Sequence, residues 1–159
     1  MSNIKKNVKM FVNKKAYYNY FIKEKFYAGL MLEGWEVKSI RSKKVNIIES
    51  YVIYYSNNMY LLNCIIQPLH MSSNHIFCDP HRKRKLLLNR NEINYLSVKI
   101  KNKGHTLIPL SFFWKKSWCK LEFGLAQGKN IQDKRIDNKK REWKKEKLRI
   151  LKNNKIMVL

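Results

Sequence analysis

The large positive charge of this chain most limits what it can fold into and what it can bind. Its 159 residues include 34 Lys and Arg against 11 Asp and Glu, a formal net charge of +23. Repulsion among so many cations opposes a compact state, and a dense polyanion relieves it by releasing counterions on binding. The charge therefore favours nucleic acid as the partner, with an anionic membrane surface as the alternative.

The chain also has enough apolar material for one packed core. Hydrophobic residues make up 45% and aromatic residues 13%, which argues against a wholly disordered polycation. The length fits one domain with a tail. No apolar run approaches the roughly 18 residues of a membrane-spanning helix, and the apolar stretch 10–12 is too short for a signal-peptide core. These features predict a cytoplasmic protein without a membrane association.

Alternating and β-branched segments predict an antiparallel sheet. Residues 20–33 carry apolar side chains at even positions, which is the period of a strand. Further strands are predicted from aromatic and β-branched content, with a hairpin turn at 56–58, over residues 50–55, 59–66, 106–114 and 118–126. At this size the elements predict a mainly β fold with peripheral helices, a small closed or partly open barrel.

A loop and a helix are expected between these strands. Residues 70–84 show little periodicity and contain Ser, Asn, Asp and Pro, as long surface loops do. Asn89 then offers a helix cap with Glu92 three residues later, and apolar residues follow at helical spacing until Gly104. This segment is the clearest helix in the sequence.

The composition changes at Gly128, which divides the chain into a domain, residues 1–128, and a basic tail, residues 129–159. The tail has 12 Lys and Arg against 4 Asp and Glu. Ile136, Trp143 and Ile150 recur every seven positions and make a helical stripe only one residue wide. We expect the tail to be disordered when free and helical on an anionic surface.

Residue patterns for catalysis or cofactor binding are missing from the sequence. The few carboxylates are scattered, and neither GxxxxGK[ST] nor GxGxxG occurs. His75, Cys78 and His81 have spacings that a metal can use, but a fourth ligand is missing. The three cysteines are widely spaced and form no CxxC pair. We therefore predict no catalytic residues, no cofactor and no metal.

Two other functions fit the composition. One is a general ribosomal-RNA-binding or ribosome-assembly protein, which basic residues interleaved with aromatic ones favour equally. The other is a small ribonuclease that uses His75 or His105; we expect RNA to stay intact instead.

A series of short segments resembles the SmpB family, whose members bind tmRNA (SsrA RNA) in bacterial trans-translation. The segments occur in the same order over nearly the whole chain. They are NKKA at 13–16, YFI at 20–22, AGL at 28–30, GWEVKS at 34–39, SYV at 50–52, DP at 79–80, RKRKLLLN at 82–89, WK at 114–115, WCK at 118–120, LAQGK at 125–129, DKR at 133–135 and REW at 141–143.

The resemblance implies a monomeric, non-enzymatic adaptor built on an oligonucleotide-binding (OB)-like antiparallel barrel. In that family the barrel binds the tRNA-like domain of tmRNA. Alanyl-tmRNA with elongation factor Tu can then enter a ribosome stalled on an mRNA that lacks a stop codon. The basic tail occupies the decoding centre of the small subunit and the empty mRNA channel.

The resemblance also implies site residues. Leu87, Asn89 and Lys120 match the family at its RNA-binding face, where they can supply an apolar platform, a hydrogen bond and a phosphate contact. Tyr27 stands where the family usually has a glutamate, so we expect ring stacking to replace a carboxylate contact, or that contact to be lost.

Positions in the tail match the family's ribosome-binding residues. Gln132 occupies a position where the family often has a histidine, which puts a stacking role there in doubt. The residues expected at the decoding centre and in the mRNA channel are Lys129, Lys134, Arg135, Lys139, Arg141 and Trp143.

Overall fold

The computed structural model describes residues 9–69, 78–101 and 104–156, and within them the chain forms nine strands and four helices. The strands are β1 Lys9–Val12, β2 Tyr20–Leu30, β3 Val45–Asn46, β4 Tyr51–Tyr55, β5 Asn58–Leu62, β6 Ile65–Ile66, β7 Arg84–Leu87, β8 His105–Lys115 and β9 Trp118–Gly128. The helices are α1 Lys14–Asn19, α2 Gly34–Arg41, α3 Arg90–Lys101 and α4 Ile131–Ile156. The prediction of a mainly β protein with helices is confirmed.

Seven of the strands form one antiparallel sheet in the order β1-β8-β4-β5-β7-β2-β9. The long strand β8 pairs with β9 as well as with β1 and β4. β3 and β6 form a separate two-stranded sheet. The strands β2 and β9 approach closely at Gly124, where an added Cβ would lie 2.7 Å from Cγ2 of Ile22.

The core lies on the inner face of the seven-stranded sheet. Its largest members include Met59, Leu61, Leu96, Phe112 and Phe123, each with at most 1% of its surface exposed. Exposure along β2 alternates up to Tyr27, with the odd positions outside, as the period of its sequence predicted.

Several local predictions are confirmed. The β4–β5 hairpin turns at Ser56 and Asn57, whose φ angles of 45° and 59° are typical of a two-residue hairpin loop. At the start of α3 the Asn89 backbone N–H donates to Oε2 of Glu92 at 2.9 Å. After the helix, Gly104 has φ of 80°, a left-handed conformation that suits glycine.

Two boundaries were predicted wrongly. Residues 59–66 form two strands, because Asn63 has φ of 53° and turns the chain so that β6 pairs with β3. The predicted loop 70–84 extends too far, since Arg84 begins β7 and is completely buried. The sequence pattern missed this strand because a buried arginine has the polarity of a loop residue. Residues 70–77 of that loop lie outside the described residues.

The chain divides into two compact units, residues 1–128 and residues 129–159. The second unit contains α4. At its start the Asn130 N–H donates to Oδ2 of Asp133 at 3.2 Å, and the Asn130 carbonyl accepts from the Lys134 N–H at the same distance. These bonds satisfy backbone groups in the first turn of the helix.

Candidate nucleic-acid interface

Three neighbouring strands bring Leu87, Gly29 and Lys120 into one row across the sheet. Gly29 of β2 is directly paired with Leu87 of β7 on one side and with Lys120 of β9 on the other. A Cβ added to Gly29 would lie 3.3 Å from both Cβ and Cδ1 of Leu87, so the Leu87 side chain packs over Gly29. Half of the Leu87 surface remains exposed. We call these three residues the RNA row.

Tyr27 lies two residues before Gly29 on the same outer face of β2, and it is 56% exposed. Its ring packs edge to face against Phe113, with centroids 5.8 Å apart. Its cross-strand partner is Glu122. That carboxylate is buried, accepts a hydrogen bond from the Ser111 hydroxyl at 2.7 Å and lies 3.8 Å from Nζ of Lys25. Tyr27 therefore presents a ring at the surface, and the carboxylate opposite it is enclosed.

Asn89 is exposed at the junction between β7 and α3. Its carbonyl accepts the Ile93 N–H at 3.0 Å, and its own N–H donates to Glu92. The Asn89 backbone makes both bonds, and the residue with its side-chain amide lies exposed at the surface. The structure thus combines the cap geometry with an exposed polar group two residues after Leu87.

A groove of about 490 Å³ lies beside the RNA row. Its lining includes Leu87, Gly29 and Lys120, together with Trp114 and Trp118. The Trp118 side chain is 72% exposed. Trp114 is half-buried beneath the guanidinium of Arg41, which lies 5.4 Å from the ring centroid. Gly29 and Trp118 were not predicted as site residues, although both lie in the segments that resemble the SmpB family.

A buried ion cluster fixes β7 against α2. Nε of Arg84 lies 2.7 Å from Oε1 of Glu36, and Nη2 of Arg82 lies 2.5 Å from Oε2 of the same carboxylate. Arg84 also donates to the carbonyls of Cys64 and, at 3.0 Å, Pro80. The cluster connects the chain before Leu87 to the core, and no sequence signal identified it, because the partners are far apart in the sequence.

Burial and the neighbouring charges shift the pKa values of Glu36 and Arg82 in opposite directions. Burial raises the pKa of Glu36, but hydrogen bonds from Arg82, from the Glu33 backbone and from Arg84 outweigh it and hold the pKa below its ordinary value. For Arg82, burial lowers the pKa, but the Glu36 carboxylate more than offsets this, so the net shift of the pKa is upward. Burial also raises the pKa of the Cys64 thiol to about 12, so it is not a reactive thiolate at neutral pH.

Only part of the segment whose spacing suggested a metal site lies within the described residues. His75 lies outside the described residues, Cys78 is half-buried and His81 is exposed. The His81 backbone N–H donates to Oδ1 of Asp79 at 2.8 Å. Within residues 9–69, 78–101 and 104–156 there is no group of three His, Cys, Asp or Glu side chains placed to hold a metal ion.

The tail residues lie along α4. Arg135, Lys139 and Trp143 follow one another at intervals of four residues, so they share one face of the helix. All three are exposed, Trp143 by 75%. Lys134 is half-buried and Arg141 is exposed.

Lys129 differs from the other predicted tail cations. Its Nζ donates to Oδ2 of Asp137 at 2.6 Å, and its side chain is only 8% exposed. The hydrogen bond from Lys129 holds the pKa of the Asp137 carboxyl below its ordinary value, and Lys140 and Arg141 add to this. Lys129 is therefore engaged within the tail unit, where it joins the chain before α4 to the helix.

The fold and the site together define a class of protein. An antiparallel sheet that exposes cations, aromatic rings and an apolar platform on one face is the arrangement of RNA-binding β proteins. Among the described helices, none has the length and apolar character to span a membrane.

Comparisons with known proteins identify the family. The family model described as SmpB protein matches residues 10–153, and the chain belongs to this family. The SsrA-binding protein of Buchnera aphidicola subsp. Acyrthosiphon pisum (strain APS) is 67% identical over 151 residues, which cover 95% of this chain and 93% of that protein. The SsrA-binding protein of Buchnera aphidicola subsp. Schizaphis graminum (strain Sg) is 64% identical over 144 residues, or 90% and 88% of the two chains.

A solved structure agrees with the family assignment. A chain from the work described as "tmRNA-SmpB: a journey to the center of the bacterial ribosome" superimposes with a TM-score of 0.64 and 38% identity. The match covers 78% of this chain and 87% of that one.

Proposed function

We propose that this protein is a tmRNA-binding adaptor of trans-translation. It binds the tRNA-like domain of tmRNA and delivers it to stalled ribosomes. The observation that carries the proposal is the RNA row, in which Leu87, Gly29 and Lys120 are aligned by strand register in a chain of the SmpB family. Relatives with 67% and 64% identity carry the name SsrA-binding protein, which supports the same function.

Each residue of the interface has a distinct part in this function. Leu87 offers an apolar platform for a base or sugar, and Lys120 neutralises a phosphate. The exposed amide of Asn89 hydrogen-bonds to the RNA at the end of the row. Tyr27 stacks its exposed ring where a carboxylate is common in the family. The neighbouring Glu122 carboxylate is buried and paired with Ser111, so it does not take the place of that carboxylate.

The first domain, residues 1–128, is proposed to be an OB-like antiparallel barrel. The pairings support this, since β9, the last strand in the order, also pairs with β8, so that the strands β8-β4-β5-β7-β2-β9 form a ring. The arrangement leaves the RNA row on the outside of the sheet, where a large RNA can reach it.

The tail, residues 129–159, is proposed to occupy the decoding centre and the empty mRNA channel of the small subunit. We expect it to be disordered when free and helical on the ribosome. The shared face of Arg135, Lys139 and Trp143 on α4 supports a role in which cations meet ribosomal phosphates and the indole stacks on a base. Lys134 and Arg141 contribute along the helix, and Lys129 contributes just before it, where its bond to Asp137 joins the chain to the helix.

The adaptor acts without catalysing a reaction, as a monomer in the cytoplasm. It requires no cofactor, and alanyl-tmRNA with elongation factor Tu joins it on the way to the ribosome. The large charge excess suits a protein whose partners are all RNA or RNA-containing particles.

A competition titration tests the proposal. The tRNA-like domain of tmRNA and an ordinary tRNA compete for the full chain at near-physiological salt, because nonspecific affinity dominates at low salt. We expect a clear preference for the tmRNA fragment, which Asn89→Ala and Lys120→Ala each reduce. Lys101→Ala, at the end of α3, is the matched control for charge. Equal affinity for both RNAs, unchanged by Asn89→Ala, would instead indicate a general RNA-binding or ribosome-assembly protein.

A further inference from the structure

The outer face of β4, β5 and β7 exposes tyrosines beside lysines. Tyr55 is 63% exposed, and its ring lies 6.3 Å from the ring of Tyr60 at an angle of 65°. Nζ of Lys83 lies 5.8 Å from the Tyr55 ring centroid, and Lys85 is directly paired with Tyr60 across the strands. We call Tyr55, Tyr60, Lys83 and Lys85 the tyrosine–lysine patch.

The end of the hairpin that carries Tyr55 is held in place. The Tyr54 hydroxyl donates to Oδ1 of Asn57 at 2.8 Å. Nη1 of Arg90, at the start of α3, donates to the Asn57 carbonyl at 3.1 Å. These bonds hold the turn that follows Tyr55, and the contacts of the Tyr55 ring with Tyr60 and Lys83 are present before any ligand arrives, which reduces the entropy lost on binding.

The patch is continuous with the RNA row. Lys85 and Leu87 are separated by one residue on β7, so both side chains project from the outer face, about 7 Å apart along the strand. A nucleic acid bound on Leu87 therefore brings its neighbouring phosphates within reach of Lys85.

We propose that the tyrosine–lysine patch binds an unpaired nucleotide of the same tmRNA molecule that the RNA row binds. Its base stacks on the Tyr55 ring, and Lys83 and Lys85 contact the adjoining phosphates. The inference rests on the proposed function, because it assigns a second contact to the same RNA. The exposed ring favours a base, which stacks without sequence preference, and the flanking cations favour the backbone that carries it.

A purely structural role for the tyrosines is the competing explanation, since aromatic pairs across a hairpin stabilise it. A structural role predicts that substitution of Tyr55 changes the stability of the domain, whereas a binding role predicts that it changes the affinity for RNA. Tyr54 lies on the opposite side of β4 from Tyr55 and is 40% exposed, so it is a matched control for loss of a hairpin tyrosine.

The first experiment titrates the tRNA-like domain of tmRNA against wild-type protein, Tyr55→Leu and Tyr54→Leu at near-physiological salt, with thermal unfolding of each. Loss of one stacked base predicts a decrease in affinity of about 5- to 100-fold for Tyr55→Leu. Tyr54→Leu removes the bond to Asn57 but keeps the Tyr55 ring, so it lowers the affinity by less than Tyr55→Leu does. Equal affinities for wild type and Tyr55→Leu, with Lys120→Ala still impaired, overturn the patch and leave the proposed function intact.

A second experiment measures the salt dependence of binding. The double variant Lys83→Ala/Lys85→Ala is expected to reduce the slope of log affinity against log salt by about 1 to 2, one for each phosphate contact. Lys99→Ala/Lys101→Ala removes the same charge from α3 and leaves the slope unchanged. Equal slopes for the two double variants, or a Tyr55→Leu defect seen only with ribosomes and not with tmRNA, would overturn the inference. If Lys120→Ala does not weaken binding and the wild type does not prefer tmRNA over tRNA, the result contradicts the proposed function and therefore this inference as well.

Discussion

Glu36 and Arg84 form an ion pair that is completely buried, with 2.7 Å between Oε1 and Nε. The pair joins helix α2 to strand β7, which carries Leu87. Arg82 binds the other carboxylate oxygen, and the Arg84 guanidinium also binds the Cys64 and Pro80 carbonyls. A charge enclosed in this way depends on its partners, because water cannot replace them.

Removing one member of the pair should strongly destabilise the domain. Glu36→Gln leaves the Arg84 charge buried without a counterion, and we expect a loss of about 3 to 5 kcal/mol in the free energy of unfolding. Urea denaturation measures it. Glu36→Leu combined with Arg84→Met removes both charges, and the double variant should be more stable than the summed losses of Glu36→Leu alone and Arg84→Met alone predict. A fully additive result would contradict the coupling.

The same carboxylate predicts how stability depends on pH. The folded pKa of Glu36 lies below its ordinary value of 4.5, so the unfolded state binds the proton more readily. The stabilisation by Glu36 is therefore fully present above pH 4.5 and is lost as the pH falls through the folded pKa. Unfolding free energies measured from neutral to acid pH should fall less steeply in Glu36→Gln than in the wild type. Parallel curves would show that other groups control the acid transition.

Gly29→Ala should weaken RNA binding more than it affects folding. The new methyl group meets Cβ and Cδ1 of Leu87 at 3.3 Å and moves the leucine away from its position in the RNA row. We expect affinity for the tmRNA fragment to fall about tenfold, or ~1.4 kcal/mol, with a stability change within about 1 kcal/mol. Gly34→Ala is the control, since no heavy atom lies within 4 Å of its new Cβ apart from its chain neighbours and the adjoining backbone of its own helix. Equal affinities for the two variants would show that the position of Leu87 does not matter for the RNA.

The tail should act on the ribosome and not on tmRNA. Removing residues 129–159 is expected to leave affinity for the tmRNA fragment nearly unchanged and to stop tagging of stalled peptides. The full-length variant Arg135→Ala/Lys139→Ala/Trp143→Ala, which changes one face of α4, should also impair tagging. A tagging assay with stalled ribosomes and a parallel RNA titration separate the two effects. Loss of RNA binding on truncation would place part of the tmRNA site in the tail.

Much of the secondary structure followed from local patterns. The alternation along β2, the turn at Ser56 and Asn57 and the capped start of α3 each depend on residues close together in the sequence. The two errors arose where distant partners decide the structure. The turn at Asn63 lets β6 pair with β3, and Arg84 enters the core because Glu36, 48 positions away, neutralises it.

The site residues likewise divide into those that the sequence predicted and those that only the structure brings to the site. Leu87, Asn89 and Lys120 were predicted from their resemblance to a family, and the structure adds that Leu87 and Lys120 lie on either side of Gly29. Trp118 at the groove lies in a segment that resembles the family but was given no site role, and Tyr55 beside Lys83 had no signal of its own. Isolated aromatic residues look alike in a sequence whether they face a core or the solvent.

By itself the sequence determined the charge, the mainly β composition, the separation of a basic tail and the family resemblance, because these depend on residue identity and short-range order. Only the tertiary structure decided which side chains share a surface. Strand register aligns Leu87, Gly29 and Lys120, and burial encloses Glu122 beside the exposed Tyr27. The physical reason is that register and burial result from pairing between segments far apart in the chain, where the free energy of the whole core selects one arrangement.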